Sequence, residues 1–398
     1  MLELIINEEK HKKSIMLIEN GLLIEQHEEQ HEQKRLEGNI YTGIVQNVLP
    51  GMQSAFIDIG ENKNTFIKLK DILPKVDESV EDINEIIKNT NIRNVIKQGE
   101  KILIQIRRDG ALNKGAKVST HINLSGRFLV LMPNTDFITI SQKIEDKDEI
   151  NRLINSVKSF IPKGYGAIIR TVAEGATEEQ LKKDLNNLIS KWENIKKEYE
   201  NHDKRTPKLL YDNKALLRRT IMDIVDRGLN KIIVNDEENS KIVKAILEEF
   251  GIQKEIEIEL KKGKNLLELY ELNRQIEKMY ERKIWLKCGG FITIDKTEAL
   301  TAIDVNSAKY TGNKNVQDTI FKVNKEATVE IAKQLRLRDI GGIIIIDYID
   351  MKEEKQVEIL KLLEENLKKD RTKTQIMGFT KLNLLEMTRK KLCNTEEY

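Results

Sequence analysis

A run of four consecutive isoleucines followed at once by an aspartate constrains this sequence more than any other feature. The segment GGIIIIDYIDM, residues 341–351, places Asp347 directly after the apolar run. A short β-branched run of this kind is typical of a central strand buried on both faces. A carboxylate at the mouth of such a strand is unfavourable unless a hydrogen-bond donor or a cation compensates for it. The run therefore predicts an interior strand with a compensated charge at its end.

A second candidate carboxylate lies upstream in a predicted β-hairpin. The sequence FITIDKTEALTAIDV predicts strands over Phe291–Asp295 and Ala299–Val305. Asp304 and Asn306 are two positions apart, so a strand presents both side chains on one face. Two carboxylates and an amide oxygen at adjacent strand ends are ligands that Mg²⁺ takes while it keeps several waters. We therefore predict that Asp304 and Asp347 hold magnesium and that Asn306 orients a phosphate or a ligand.

Such a metal site is suited to phosphodiester hydrolysis. A bound magnesium ion would activate a water in line with the bond and neutralise charge on the phosphoryl oxygens, leaving a 5′-phosphate and a 3′-hydroxyl. On spacing alone the alternative stays open that each aspartate only caps a following turn or helix. Asp350 is a rival ligand, but three residues beyond Asp347 we expect it to cap the helix predicted near Glu353.

The residues between the two aspartates predict a helix that ends at Gly341–Gly342. Its apolar positions recur with helical spacing and would face the sheet. They are Val316, Ile320, Val323, Ala327, Ile331 and Leu335. The sequence thus predicts a strand, a covering helix and a second strand.

The segment that begins at Gly38 predicts a small closed barrel. It contains five short strands with alternating apolar side chains, separated by turns and one polar insertion. Ala55 and Ile57 would point inward, which leaves Phe56 on the outer face, and Phe66 follows on the next strand. Two outward rings make a stacking platform for unpaired bases. The alternative, that both rings belong to the barrel core, stays open.

The overall charge does not indicate a broad surface for polyanions. The 67 basic and 65 acidic residues leave a net charge of +2, so a nucleic-acid site must be local. Beside the aromatic platform, the candidate phosphate contacts are Arg107, Arg108, Lys114 and Lys117. The two cysteines, Cys288 and Cys393, lack the spacing of a disulfide framework or a thiolate zinc site.

Length and hydropathy predict a multidomain protein without a membrane span. The chain has 398 residues, of which 39% are hydrophobic, enough for several cores. No apolar run is long enough to span a bilayer, and the N-terminus lacks a signal-peptide pattern. We therefore expect a cytoplasmic protein.

The middle of the chain carries a weaker candidate site. The predicted strand Ala167–Ile169 leads into Arg170 and Thr171, and a guanidinium beside a hydroxyl can receive a phosphate. The alternative is an ordinary surface arginine next to a turn threonine. Thr177 is placed to cap a helix, and residues 178–230 are predicted to be helical.

Residues 231–250, KIIVNDEENSKIVKAILEEF, predict a strand, a turn and a helix. The opening strands near residues 2–24 are too short to fold alone. We expect this later segment to complete them in space.

Several segments, in register, resemble the ribonuclease E/G family. The signature segments are AIDVNS at Ala302–Ser307, QLRLRDIGGIIIIDYIDM at Gln334–Met351 and LLEMTRK at Leu384–Lys390. Upstream, NIYTGIVQNVLPGMQSAFIDIG resembles the family's S1-like RNA-binding barrel, and GYGAIIRT resembles its sensor for a 5′-monophosphate. The order and spacing of these segments match the family over nearly the whole chain, which is far more specific than one motif.

The resemblance implies a magnesium-dependent endoribonuclease that acts on single-stranded RNA, in ribosomal RNA maturation and messenger RNA decay. The implied catalytic residues are Asp304, Asn306 and Asp347, with Asp304 and Asp347 on the metal. The implied RNA contacts are Phe56, Phe66 and Lys114. The implied 5′-phosphate contacts are Gly126, Val130, Arg170, Thr171 and Lys381. Lys381 stands where the family pattern has an arginine, so the charge is kept but the bidentate fork is lost.

The resemblance also implies the architecture, an α+β, multidomain fold. An OB-type RNA-binding barrel is inserted in an RNase H-like unit without catalytic carboxylates, and a DNase I-like catalytic subdomain follows. The implied divisions are 1–37 and 216–284 for the RNase H-like unit, 38–119 for the barrel, 120–215 for the sensor region and 285–398 for the catalytic subdomain.

Three further expectations concern partners and alternatives. A homo-oligomer is compatible with the resemblance, but Cys393 has no nearby cysteine for the family's zinc link. A non-catalytic RNA-binding protein that uses only the barrel and the phosphate pocket is the main alternative. The second alternative is a metal-dependent nuclease that also cuts DNA. The barrel and the sensor favour single-stranded RNA as the substrate, because aromatic platforms hold unstacked bases.

Overall fold

A computed structural model shows a mixed α/β protein. The structure describes residues 1–30, 36–73, 89–110, 115–203, 205–225, 227–307, 316–370 and 372–391. The chain divides into two compact units. The first unit comprises residues 1–33, 228–243 and 254–398, and the second comprises 34–227 and 244–253. No helix within the described ranges has the length and apolar character needed to cross a bilayer.

The first unit opens with three antiparallel strands. They are β1 (Leu2–Glu8), β2 (Lys12–Glu19) and β3 (Leu22–Gln30). Strand β2 pairs with both neighbours, so β1 keeps one edge for a later strand.

The second unit begins with a closed five-stranded barrel. Its strands are β4 (Ile40–Leu49), β5 (Ser54–Asp58), β6 (Thr65–Lys68), β7 (Lys101–Arg108) and β8 (Lys117–Ser119). They pair in the order β4–β5–β6–β8–β7, and β7 pairs back onto β4. Ala55 and Ile57 lie in the barrel core. The sequence-based prediction of a barrel is confirmed, and part of its polar insertion lies outside the described residues.

A four-stranded sheet with two helices follows in the second unit. The elements are β9 (Leu124–Ser125), β10 (Leu129–Pro133), β11 (Ile138–Ile140), α1 (Lys147–Phe160), β12 (Tyr165–Ile169), α2 (Glu178–Asn201) and β13 (Lys208–Tyr211). The sheet order is β11–β12–β10–β9. Thr177 caps α2 in a capping box with Gln180, as predicted.

The prediction that residues 178–230 are helical throughout is wrong. The helix α2 ends at Asn201, and β13 pairs with β4 of the barrel. Its strand geometry leaves Leu209 exposed. Within the barrel, residues 40–42 of β4 pair with β7 on one side only, and β13 pairs with their other side in place of a helix.

The following elements are α3 (Ala215–Val225) of the second unit, then β14 (Leu229–Val234), α4 (Glu237–Phe250), β15 (Glu257–Leu260), α5 (Leu266–Leu269) and α6 (Leu272–Met279). In the first unit β14 pairs in parallel with β1, which gives a five-stranded sheet in the order β15–β14–β1–β2–β3. The later segment therefore completes the opening strands, as the sequence predicts.

The first unit ends with a six-stranded sheet and two helices. They are β16 (Lys283–Trp285), β17 (Phe291–Lys296), β18 (Leu300–Asn306), α7 (Val316–Leu337), β19 (Gly342–Asp347), α8 (Glu353–Leu367), β20 (Thr374–Phe379) and β21 (Leu384–Arg389). The sheet order is β16–β17–β18–β19–β21–β20. Strands β18 and β19 are parallel neighbours, joined through α7.

Strand β19 is central in this sheet, but the prediction that both of its faces are buried is wrong. Ile344 and Ile346 are fully buried in one core with side chains of both α7 and α8. On the other face Ile343 is 51% exposed and Ile345 is only partly buried. Both helices pack on the same face, so the described residues leave the second face open.

Candidate active site

The open face of the six-stranded sheet brings Asp304 and Asp347 side by side. The two residues are direct partners in the parallel ladder of β18 and β19. Both side chains are exposed, while the preceding residues Ile303 and Ile346 point into the core. Neighbouring strands lie about 4.8 Å apart. The pairing register, rather than sequence proximity, therefore sets the two carboxylates next to each other.

Asn306 extends this arrangement by one row along β18. Its Nδ2 atom donates a 2.6 Å hydrogen bond to Oδ2 of Asp304. The two residues share a face because side chains alternate along a strand. The amide thus orients the carboxylate of Asp304.

The electrostatics of the pair favour a bound cation. Although the side chain of Asp347 is exposed, partial desolvation by its neighbours raises its pKa, and the negative charges of Asp304 and Asp350 raise it further. None of the ion pairs among the described residues involves Asp304 or Asp347. A divalent cation would relieve the repulsion between the two carboxylates, and their oxygens are the donors that hard cations prefer.

The number of protein ligands limits the kind of metal site. Within the described ranges no group of three or more histidine, cysteine, aspartate or glutamate side chains is arranged to hold a metal ion. Two carboxylates fit an ion such as Mg²⁺, which usually binds through one or two carboxylates and keeps several waters. They do not fit a closed tetrahedral zinc site.

Asp350 does not play the capping role predicted for it. The helix α8 begins at Glu353 as expected, but its N-cap residue is Lys352, which makes no side-chain capping bond. Asp350 is exposed and acts on Asp347 only through its charge. The prediction failed because the chain runs two residues further in extended form before the helix starts.

The barrel of the second unit carries an outward aromatic pair. Phe56 and Phe66 are direct partners in the β5–β6 ladder, with ring centroids 5.8 Å apart and planes tilted by 60°. Both rings are half-buried, and neither belongs to the barrel core. This geometry speaks against the alternative in which both phenylalanines are core residues.

The basic residues predicted beside this pair have different environments. Arg107 donates to the carbonyl of His121, and its burial lowers the pKa of its guanidinium. Lys117 forms a 3.0 Å ion pair with Asp71, whereas Arg108 is exposed. Lys114 lies outside the described residues. Arg108 is therefore better placed than Arg107 to reach a phosphate backbone.

The structure brings Arg170 and Gly126 together in the second unit. Nη1 of Arg170 donates to the carbonyls of Gly126 and Arg127 at 3.1 and 3.0 Å. Its Nη2 atom lies 3.9 Å from a carboxylate oxygen of Asp223. The hydroxyl of Thr171 is 2.8 Å from that of Ser141. The guanidinium is thus held by the protein and keeps a defined orientation.

A buried carboxylate shapes the loop next to this arginine. Asp184 accepts hydrogen bonds from the amides of Arg127, Phe128 and Leu129 at 3.1, 2.8 and 2.9 Å. A Cβ atom on Gly126 would lie within 2.7 Å of that carboxylate, so the position requires glycine. These three amides are bonded to Asp184, so they do not point at an external phosphate.

The other two predicted sensor residues are Val130 and Lys381. Val130 lines a cavity of about 310 Å³ with Arg218 and Arg219, and Arg170 does not line it. Lys381 is exposed between β20 and β21 of the first unit. Val130 pairs in the sheet with Ser125, the residue before Gly126, and with Ile168, two residues before Arg170.

Sequence reasoning missed one exposed group on the open face. Trp285 and Phe291 are direct partners across the turn LKCGG, and Lys283 lies over both rings. The signal was available in the sequence, because two aromatic residues flank a glycine-containing turn of hairpin length. The predicted hairpin begins at Phe291 and does not include Trp285.

The paired carboxylates and the five-stranded barrel are features expected of an enzyme that acts on nucleic acid. A model of the ribonuclease E/G family matches residues 123–392. This chain belongs to the ribonuclease E/G family. It is 37% identical over all of its 398 residues to ribonuclease G of Salmonella typhimurium (strain SL1344), and the match covers 81% of that protein.

Two further relatives show the same likeness. Ribonuclease G of Haemophilus influenzae is 37% identical over 100% of this chain and 81% of its own length. Ribonuclease E of Escherichia coli (strain K12) is 35% identical over 370 residues, which are 91% of this chain and 34% of the relative. The resemblance found in the sequence motifs is therefore confirmed at the level of the family.

Proposed function

We propose that this chain is an endoribonuclease that hydrolyses phosphodiester bonds in single-stranded RNA and leaves 5′-phosphate and 3′-hydroxyl ends. The single observation that carries the proposal is the pairing of Asp304 with Asp347 on the open sheet face. Family membership supports RNA as the substrate, since the relatives are named ribonuclease G and ribonuclease E. The physiological substrates we propose are precursors of ribosomal RNA and messenger RNA.

The carboxylates of Asp304 and Asp347 would hold a magnesium ion. When bound, the ion supplies an activated water and neutralises charge on the phosphoryl oxygens. Asn306 fixes the orientation of Asp304 through its amide and stands one row further along the open face, where a phosphate can approach. The uncovered face gives an extended RNA strand direct access to the carboxylates.

RNA recognition would be divided between the two units. Phe56 and Phe66 would stack unpaired bases, with Lys114 as a phosphate contact. Arg170 and Thr171 would bind a 5′-terminal phosphate, with Gly126, Val130 and Lys381 as further members of this site. The lysine at 381 supplies a point charge in place of a guanidinium fork, so we expect weak preference for a 5′-monophosphate.

The test uses one short unstructured RNA with either a 5′-monophosphate or a 5′-hydroxyl end, and a DNA of the same sequence. Wild-type protein in Mg²⁺ should make internal cuts in RNA only, and chelation of the metal should stop them. Asp304→Asn and Asp347→Asn should bind the RNA and leave it intact. Bound but uncut RNA with the wild type would favour the non-catalytic RNA-binding alternative, and equal cutting of the DNA would favour a broader nuclease.

A further inference from the structure

An aromatic pair lies exposed on the same open face as the paired aspartates. The rings of Trp285 and Phe291 are 5.3 Å apart between centroids, with planes tilted by 59°. Trp285 is 62% exposed, and Phe291 is partly buried. Tryptophan is a large apolar side chain that normally gains stability from burial. Two adjoining aromatic rings on an open sheet face are suited to contact a flat apolar group.

The strand register fixes how close the pair lies to the aspartates. Phe291 is the direct partner of Asn306, and Trp285 is the direct partner of Phe291. Asn306 in turn is hydrogen-bonded to Asp304. The aromatic rings and the amide therefore form one row across β16, β17 and β18. That row adjoins the row that holds the two carboxylates.

A lysine completes the group. Lys283 is in register with Thr293, and Thr293 is in register with Asp304, so the lysine belongs to the row of the carboxylates. Its Nζ atom lies 3.7 Å from the ring centroid of Phe291 and 4.1 Å from that of Trp285. An ammonium on a flexible stem can leave an aromatic face for a phosphate, and a nucleobase can then occupy that face.

We propose that Trp285 and Phe291 form a base-stacking subsite beside the paired aspartates, in which Lys283 contacts the RNA backbone. The inference rests on the proposed function, since it places a nucleobase of the single-stranded substrate next to the cleaved bond. Single-stranded RNA fits the chemistry of this face. The two aromatic rings can stack on a base, and the ammonium of Lys283 can contact a phosphate. The carboxylates that would hold the metal lie one row away. The subsite is separate from the Phe56–Phe66 pair of the other unit.

Binding can be tested without cleavage. The chain has two tryptophans, and the other one, Trp192, is buried in α2. A short fully 2′-O-methylated RNA, which resists cleavage, should quench tryptophan emission as it binds. In Trp285→Phe the same oligonucleotide should bind without quenching, with binding followed by anisotropy of a labelled copy. Unchanged emission of the wild-type protein at saturating oligonucleotide would overturn the subsite.

Kinetics on a cleavable single-stranded RNA give the second test. Trp285→Ala should raise KM by about tenfold, in the range known for one stacked base, and change kcat by less than about twofold. Trp285→Tyr should restore KM because tyrosine keeps a stacking face, whereas Trp285→Leu, which keeps only apolar bulk, should not. Equal recovery by leucine and tyrosine would show that the residue only supports the hairpin.

Tyr280→Ala is the matched control, since Tyr280 is similarly exposed, at 66%, but lies outside the strands. Its KM should equal that of the wild type. The two proposals fail in different ways. If the wild type cuts RNA and Trp285→Ala has an unchanged KM, the subsite is wrong and the proposed function stands. If the wild type never cuts RNA but tryptophan quenching occurs, the catalytic proposal fails and the base-binding site stands.

Discussion

Two pairs of carboxylates lie in the part of the chain that forms the six-stranded sheet, and they differ in burial and in their charged partners. Asp339 and Asp370 flank Arg389 of β21, at 2.8 and 2.7 Å, and the arginine side chain is 1% exposed. Asp304 and Asp347 lie on the open face, where partial desolvation and like charge raise the pKa of Asp347. Arg389 is the cation of the first pair, whereas no basic side chain among the described residues forms an ion pair with Asp304 or Asp347.

This difference distinguishes a structural charge cluster from a pair of carboxylates that can accept a cation from solution. A buried guanidinium between two carboxylates satisfies all three groups and resists exchange with solvent. Two exposed carboxylates in register repel each other unless a cation from solution joins them. The fold therefore tolerates an unfavourable pair at Asp304 and Asp347, which is what a metal site requires before the metal binds.

The strongest way to break this comparison is to neutralise one member of each pair. Asp347→Asn should lower RNA cleavage by about 10³-fold or more, because the proposed magnesium site would lose a ligand, while the unfolding free energy stays the same or rises. Asp370→Asn should lower the unfolding free energy by about 3–5 kcal/mol, because a buried arginine loses a charged partner. Cleavage assays and urea unfolding followed by circular dichroism measure both. Loss of stability in Asp347→Asn would place that residue with the structural cluster.

A smaller effect is expected from the metal itself on thermal stability. Mg²⁺ at about 100 times its Kd should stabilise the wild type by about 2.7 kcal/mol, because it binds only the folded state. Asp347→Asn should show little of this gain. Without metal the variant should melt at a higher temperature than the wild type, because the like-charge repulsion is gone. Differential scanning calorimetry with and without chelator decides the matter, and an equal gain in both proteins would contradict a site at Asp347.

The smallest effect should come from Asp350→Asn. The raised pKa of Asp347 means that its proton persists to higher pH than on an ordinary aspartate, so Mg²⁺-dependent cleavage should fall as pH drops through that pKa. Removing the charge of Asp350 should lower this pKa, and the acid limb of the rate profile should move slightly to lower pH.

The same pKa sets the sign of its effect on stability. In the metal-free protein, ionisation of Asp347 disfavours the folded state, so its contribution to stability is present at low pH and is lost as pH rises through the raised pKa. Asp350→Asn should reduce this loss. An acid limb that moves to higher pH, measured by single-turnover cleavage, would contradict the charge effect assigned to Asp350.

The sequence predicted local features that depend on short-range patterns. Alternation placed Ala55 and Ile57 in the barrel core, and helical spacing placed Val323 and Ala327 against the sheet. The motifs around Asp304 and Asp347 identified the family. Each of these features is fixed by residues a few positions apart, or by segments long enough to be specific, so the linear sequence contains them.

Other features depended on which distant segments meet. Ile343 is exposed because α7 and α8 both pack on the other face of the sheet. A run of four isoleucines does not distinguish a strand covered on one face from a strand covered on both. The row that joins Trp285 to Asn306 depends on the register of three strands. Strand pairing between remote segments is settled by burial of the whole sheet rather than by local propensity.

For this protein, the sequence by itself determined the barrel, the covering helix and the two carboxylates as candidates, because alternation and helical period are local properties of the chain. Only the tertiary structure decided that Asp304 stands directly opposite Asp347 and that their face is open. The pair forms only when β18 and β19 come together as parallel neighbours, with the connecting helix α7 packed on one face of the sheet. Which face of the sheet stays open then depends on which face offers α7 more apolar surface to bury.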